Sequence, residues 1–295
     1  VPVLILDAGK SLIRNGQSLL NDHNSFKARE ISKAYVAMGY HGVAIAGRDL
    51  EDGGKFIQET LASGMPWVSA NVSSSDPTID IPSYRIVELG TLKVAITAVT
   101  DSLNIDTVLS VVPYRDALVP LLSELSVQYD ILIVLSNLKG KENIELASLF
   151  PEIDILLSSD RTQGKMSPVV IGKTLMTQTS SRGKYLGLLN IEWNDGEAWH
   201  NSRPPSISEL TSRRDRITKA IEEIKKEGKG GKRLTRLELQ KTRLSRDIEK
   251  RVAVEGANTG KVYNKQKLRF FPVHPSKTPK DIESIVQSIE ESRKK

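Results

Sequence analysis

The sequence contains no cysteine, which excludes disulfides, thiolate nucleophiles, cysteine-ligated zinc and thioether-linked haem within this chain. Histidine is scarce too: His23, His41, His200 and His274 lie far apart and not at metal-ligand spacing. No run of about 18 apolar residues occurs, so there is no hydrophobic membrane span, and no signal-peptide pattern is visible. The phosphate-loop patterns G-x-x-x-x-G-K-[ST] and G-x-G-x-x-G after a strand are both missing, as is the nucleophile elbow of triad hydrolases. The run Gly228-Lys229-Gly230-Gly231 has no strand before it and reads as a flexible turn.

What the sequence does have is length and pattern. With 295 residues, 39% of them hydrophobic, it can bury a substantial core in one large domain or two smaller ones. It opens directly in a strand-like run, as a mature or truncated start would. Apolar runs suited to buried strands fall at 3–6, 42–46, 67–70, 93–99, 131–135 and 153–157. Amphipathic stretches at 25–38, 53–62, 114–129 and 142–149 separate them. This alternation predicts α/β layering on a largely parallel sheet. Hairpin-like strands at 84–89, 169–171, 174–178 and 185–193 add an antiparallel portion.

Charge is unevenly spread. Residues 1–205 hold 18 Lys and Arg against 23 Asp and Glu, a net of −5. Residues 206–251 hold 15 against 8, a net of +7, and residues 252–295 hold 9 against 5, a net of +4. The basic stretch places Ile207, Leu210, Ile217, Ile221 and Ile224 on one helical face, then Leu234, Leu237, Leu244, Ile248 and Val252 on another. Those spacings are a coiled-coil seam and predict a basic antiparallel helical hairpin over 206–256, entered at Pro204-Pro205. A strand at 268–273 and a helix at 279–293 then return to the body as a third region, 257–295. A basic hairpin and tail suit a protein partner, an anionic surface or nucleic acid. Nucleic acid is the poorest fit, because the hairpin has too few aromatic residues to stack bases.

In open α/β sheets, ligands bind outside the carboxyl ends of strands. Those ends read LDAGK (6–10), MGYHGVAIAGRDLEDGG (38–54), VSANV (68–72), LSNLKG (135–140), IDILLSSDRT (153–162) and SSRGKYLGLL (180–189). In order and spacing they resemble L-D-A-G-D, M-G-Y-D-A-x-x-x-G-N-H-E-F-D-x-G, L-S-A-N-V, L-S-H-x-G, I-D-x-x-x-x-G-H-x-H and G-x-x-G-K-Y-L-G-x-L. That series belongs to the calcineurin-like metallophosphoesterase domain of the bacterial 5′-nucleotidase family. The resemblance spans about 190 residues and leaves the hairpin and the last helix outside it. It implies a layered α/β/β/α sandwich, here with an inserted helical hairpin, and a bacterial periplasmic or cell-surface location. The layout is also similar to nucleotidase-like envelope proteins of anaerobic, metal-respiring bacteria.

The resemblance keeps the frame and changes the chemistry. The family holds two divalent metals about 3.5–4 Å apart, which activate water and clamp a phosphoryl group. Carried over position by position, the bridging Asp is Lys10, the Asn ligand Arg48 and the general-acid His Asp49. The His ligand of L-S-H is Asn137, and the two His of G-H-x-H are Asp160 and Thr162. The Asp-x-His motif on the preceding strand has no counterpart in this chain, so an upstream segment or a second polypeptide is expected to complete the sheet. At 4 Å and an effective dielectric of about 20, like unit charges repel by about 4 kcal/mol, and a dication doubles that. A protonated Lys10 is therefore incompatible with a metal at that point.

The expectation is a degenerate, non-catalytic domain with no cofactor and a binding or structural role. A phosphohydrolase using unexpected ligands is the alternative. An oxygen-only metal site on Asp7, Asp49, Asp101 and Asp160 is conceivable, but Lys10, Arg48 and Arg161 alternate with those carboxylates, and ion pairing is the simpler reading. The same three cations are candidates for a residual anion site.

Overall fold

A computed structural model describes residues 2–13, 16–101, 108–126, 128–180, 183–199, 207–226, 231–255, 263–273 and 280–292. The chain divides into two compact units, one formed by Val1–Ile191 with Gln266–Lys295 and the other by Glu192–Lys265.

In the first unit the chain begins with β1 (Leu6–Asp7), α1 (Asp22–Ala37) and β2 (Gly42–Ala44), then a 3-10 turn over Gly47–Leu50. There follow α2 (Lys55–Ala62), β3 (Trp67–Val68), β4 (Val72–Ser74), β5 (Tyr84–Leu89) and β6 (Leu92–Val99). Next come β7 (Leu109–Val111), α3 (Tyr114–Leu125), β8 (Ile131–Ser136), α4 (Gly140–Leu149) and β9 (Ile155–Ser158). The run ends with β10 (Met166–Ile171), β11 (Thr174–Gln178) and β12 (Tyr185–Glu192). After the helical unit, with α5 (Ile207–Lys226) and α6 (Lys232–Glu255), the chain returns through β13 (Lys265–Pro272) and α7 (Lys280–Glu291).

Two sheets carry the body. β1, β2 and β3 form a parallel three-stranded sheet, and β10-β11-β9-β8-β6-β5 form a mixed six-stranded one. The centre of the larger sheet is parallel, with β6, β8, β9 and β11 in register, and antiparallel β5 and β10 close its edges. Alternation along β8 sorts its side chains: Leu132 and Val134 join Leu118, Leu122, Leu146 and Phe150 under α3 and α4. Leu135 points the other way, towards β2. A second core packs Val43 and Trp67 of the small sheet, and Ile45 just past β2, against Ala28 of α1 and Phe56 and Ile57 of α2. Helices thus cover the outer face of each sheet, giving the layered α/β/β/α sandwich. The sheets approach closely at Gly42, where a Cβ would stand 2.9 Å from Ile96 Cγ2.

In the second unit, Lys225 near the end of α5 pairs with Glu238 early in α6 at 2.9 Å, and Leu210 and Ile221 are buried. At its base, Asn264 accepts the Asn194 N–H and donates to the Glu197 carbonyl at 2.6 Å. Trp193 and Trp199 meet edge to face beside it. The turn at 228–230 and residue Pro279 lie outside the described residues.

Candidate functional site

The strand ends named from the sequence converge in the first unit. After β1, Gly9 takes φ +86°, and a Cβ there would meet the Ala44 carbonyl at 2.8 Å. Lys10 follows at φ +66°, a left-handed conformation that L side chains adopt at a cost of roughly 1–2 kcal/mol. This turn directs the Lys10 ammonium at the Asn137 carbonyl oxygen, to which it donates. Burial lowers the Lys10 pKa from the ordinary lysine value, while Asp101, Asp160 and Glu142 act to raise it.

Asn137, just past β8, is buried and bonded through both its side-chain nitrogen and its side-chain oxygen. Its amide donates to the Ile45 carbonyl at 2.9 Å, and its side-chain oxygen accepts the Thr100 hydroxyl at 2.6 Å. It ties the end of β8 in the large sheet to the end of β2 in the small one.

After β2, Asp49 folds the 3-10 turn back on itself by accepting the Ala46 N–H at 2.8 Å. It is 3% exposed, and burial, aided by the nearby Asp7 charge, pushes its carboxyl up to about 7 against the opposing Ala46 hydrogen bond. Its neighbour Arg48 donates to the Gln17 carbonyl at 2.5 Å. Asp7 itself accepts the Tyr35 hydroxyl at 2.7 Å and the Gly9 N–H at 2.8 Å, and burial raises its pKa.

After β9, Asp160 is buried among donors. One carboxylate oxygen accepts the Thr162 N–H at 2.9 Å and the Thr162 hydroxyl at 2.8 Å. The other accepts the Gly140 N–H at 2.8 Å, at the amino end of α4 where the helix dipole favours an anion. Burial alone would raise this carboxyl, but these hydrogen bonds outweigh it and hold the pKa below the usual carboxylate value. Arg161 beside it donates to the Lys10 and Ile13 carbonyls. Burial and, after it, the Arg48 charge lower the Arg161 pKa.

Lys10, Arg48, Asp49, Asn137, Asp160, Arg161 and Thr162 all lie on the turns that follow β1, β2, β8 and β9. Sequence reasoning missed Gln178 at the end of β11. Its side-chain oxygen accepts the Ser158 hydroxyl and the Asp160 N–H, and its amide donates to the Asp160, Gln163 and Gly164 carbonyls. A polar residue closing the buried run Thr174–Gln178 was the available signal. Among the described residues, no three His, Cys, Asp or Glu side chains come together in a way that would hold a metal ion. Also among them, no helix is long and apolar enough to cross a membrane.

No protein-family model matches the chain, and no curated protein matches it. Solved structures do. It is similar to a 5′-nucleotidase precursor from Thermus thermophilus, with 21% identity and a TM-score of 0.57 over 66% of this chain and 43% of that one. It is similar to a sulfate thiohydrolase from the same species, at 21% identity and a TM-score of 0.54, covering 64% and 36% of the two chains. A Haemophilus influenzae NAD nucleotidase matches at 18% identity and a TM-score of 0.54, over 64% and 38%. The chain thus spans less than half the length of each, and what is shared is the metallophosphoesterase-like fold expected from the strand-end motifs.

Proposed function

We propose that this chain, built on a fold shared with 5′-nucleotidase structures, is a non-catalytic relative with a binding or structural role in the bacterial cell envelope. The observation that carries the reading is the Lys10 ammonium seated on the Asn137 carbonyl at the meeting point of the strand ends. A pair of divalent metals does not fit these residues. Lys10 would place a cation beside them, and both oxygens of Asp160 already accept hydrogen bonds from Thr162 and Gly140. Asn137 spends its side-chain oxygen on Thr100.

The cluster serves instead to fasten loops. Lys10, Arg48 and Arg161 each donate to main-chain carbonyls, of Asn137, Gln17, Lys10 and Ile13. A second reading retains an anion site on Lys10, Arg48 and Arg161, and it is favoured by Arg161 donating to the Lys10 carbonyl, which brings two of the three cationic residues together. In either reading, protein partners are assigned to the basic hairpin and tail, and β1, at the edge of its sheet, is where a strand from an upstream segment or a second chain would pair.

The test is hydrolysis of a nucleoside monophosphate and a generic phosphomonoester with manganese, zinc or cobalt, beside a Lys10→Ala control. Neither protein should turn over substrate above background. Turnover near about 1 s⁻¹ in the wild type, lost in the variant, would establish a phosphohydrolase with unusual ligands. Calorimetric titration with phosphate and sulfate separates the two readings: binding that weakens in Lys10→Ala establishes the anion site, and no heat leaves a fastened scaffold.

A further inference from the structure

The two-stranded sheet of β12 and β13 turns one face outward. The Val273 N–H donates to the Lys184 carbonyl at 2.9 Å, and Lys265 meets Glu192 at 3.0 Å at the opposite ends, so the strands run in opposite directions. Exposure alternates along β13, as one-sided packing requires. On the inner side, a Cβ at Gly187 would stand 2.7 Å from the Thr179 methyl and 3.7 Å from Leu268. On the outer side, Leu186 is 59% exposed, Phe271 42% and Val273 56%.

These three apolar groups are set among cations. The Arg269 guanidinium lies 5.7 Å from the centre of the Phe271 ring, and Lys184 and Lys267 are exposed. With Lys265, residues 184–192 and 265–273 carry four basic side chains against one carboxylate, Glu192, which is paired with Lys265. Aliphatic and aromatic side chains rimmed by a net positive charge are the composition that binds at a lipid headgroup boundary.

We propose that this face docks on an anionic lipid surface, with Leu186, Phe271 and Val273 entering the boundary and Lys184, Lys267 and Arg269 meeting headgroup phosphates. The charge distribution selects this occupant. A second copy of the chain on a two-fold axis would oppose one net-basic face to another, with the single carboxylate, Glu192, already paired to Lys265. Nucleic acid would find a single exposed ring on this face, with aliphatic neighbours that offer no stacking. The inference does not depend on whether the strand-end cluster is catalytic.

The experiment is co-sedimentation of the full chain with phosphatidylcholine vesicles, with and without phosphatidylglycerol. Wild-type protein should bind the anionic vesicles about tenfold better than the neutral ones, and less so at high salt. Leu186→Ser with Phe271→Ser leaves net charge unchanged and should lower anionic binding about tenfold. Lys267→Glu with Arg269→Glu should abolish it. All four positions are exposed, and an unchanged melting midpoint confirms folding of each variant. The proposal is overturned by equal binding to both vesicle types, or by Leu186→Ser/Phe271→Ser binding like wild type, which would give the attraction to the basic hairpin. A wild-type dimer in sedimentation velocity that these variants dissolve would overturn it as well, making the face a self-interface.

Discussion

Asp49 and Asp160 are both buried carboxylates on turns that follow strands, and their surroundings push them in opposite directions. Asp160 has three hydrogen-bond donors and a helix amino end, whereas Asp49 accepts the Ala46 N–H and has the charge of a second carboxylate, Asp7, against it. With its pKa at about 7 in the fold and about 3.9 in the unfolded chain, Asp49 binds its proton more tightly when folded. Its contribution to stability is therefore complete below the unfolded value and is lost as pH rises through about 7. Asp49→Asn keeps an oxygen for the Ala46 N–H and removes the titration. Thermal melts from about pH 5 to about pH 8 should show wild type losing stability relative to the variant as pH rises. Parallel curves would mean that Asp49 stays ionised throughout. The identities of the strand-end residues were legible in the sequence, but their hydrogen bonds were not. Lys10 reaches a carbonyl 127 positions away and Arg161 one 151 away, and every residue has a carbonyl, so no side-chain pattern marks the acceptor.

At the scale of elements, legibility followed burial and length. The runs at 84–89 and 174–178 are strands with the expected bounds, because each is flanked by turn residues and faces a core on at least one side. The pair β4 and β7 went unread: three residues each is too short for a period to register, and Ser73 and Ser110, paired across it, are polar. The apolar run at 3–6 becomes strand only at Leu6, and Val3 is 59% exposed. The expected helix over 114–129 ends at Leu125, the last buried leucine of its core face. The run at 42–46 reads as a buried strand and β2 does begin at Gly42, but the close approach of the sheets there was hidden, since nothing in the sequence marks which strand residue faces the second sheet. Gly42→Ala would drive a methyl to 2.9 Å from Ile96 Cγ2 and 3.3 Å from Leu6, between two sheets that cannot both give way. Overpacking of this kind costs about 1–3 kcal/mol, and denaturant unfolding should register that loss with an unchanged slope. A neutral result would show that the sheets separate without penalty at this point.

At the scale of the molecule, the helical unit is an excursion between two strands that pair with each other, β12 on the way out and β13 on the way back. Its composition, basic where residues 1–205 are mildly acidic, marked it in the sequence, although the unit begins at Glu192 and the composition change only near residue 206. The boundary was hidden because the base of the unit is an ordinary polar stretch. It is held by Asn194 and Asn264, which bond to each other and to the Tyr263, Glu197 and Ala198 carbonyls. That clasp brings the chain ends of the excursion within hydrogen-bonding distance, so a short turn can replace everything between them. A chain in which a Gly-Ser linker joins residue 194 to residue 264 should keep a single cooperative unfolding transition. Among the described residues, the two cores of the body are built from residues no later than Met176. Its melting midpoint should stay within a few degrees of the full chain, a change of order 1 kcal/mol at most for a unit of this size. Loss of the cooperative transition would mean that the helices complete the core of the body, and that the division at Glu192 and Lys265 does not separate independently stable parts.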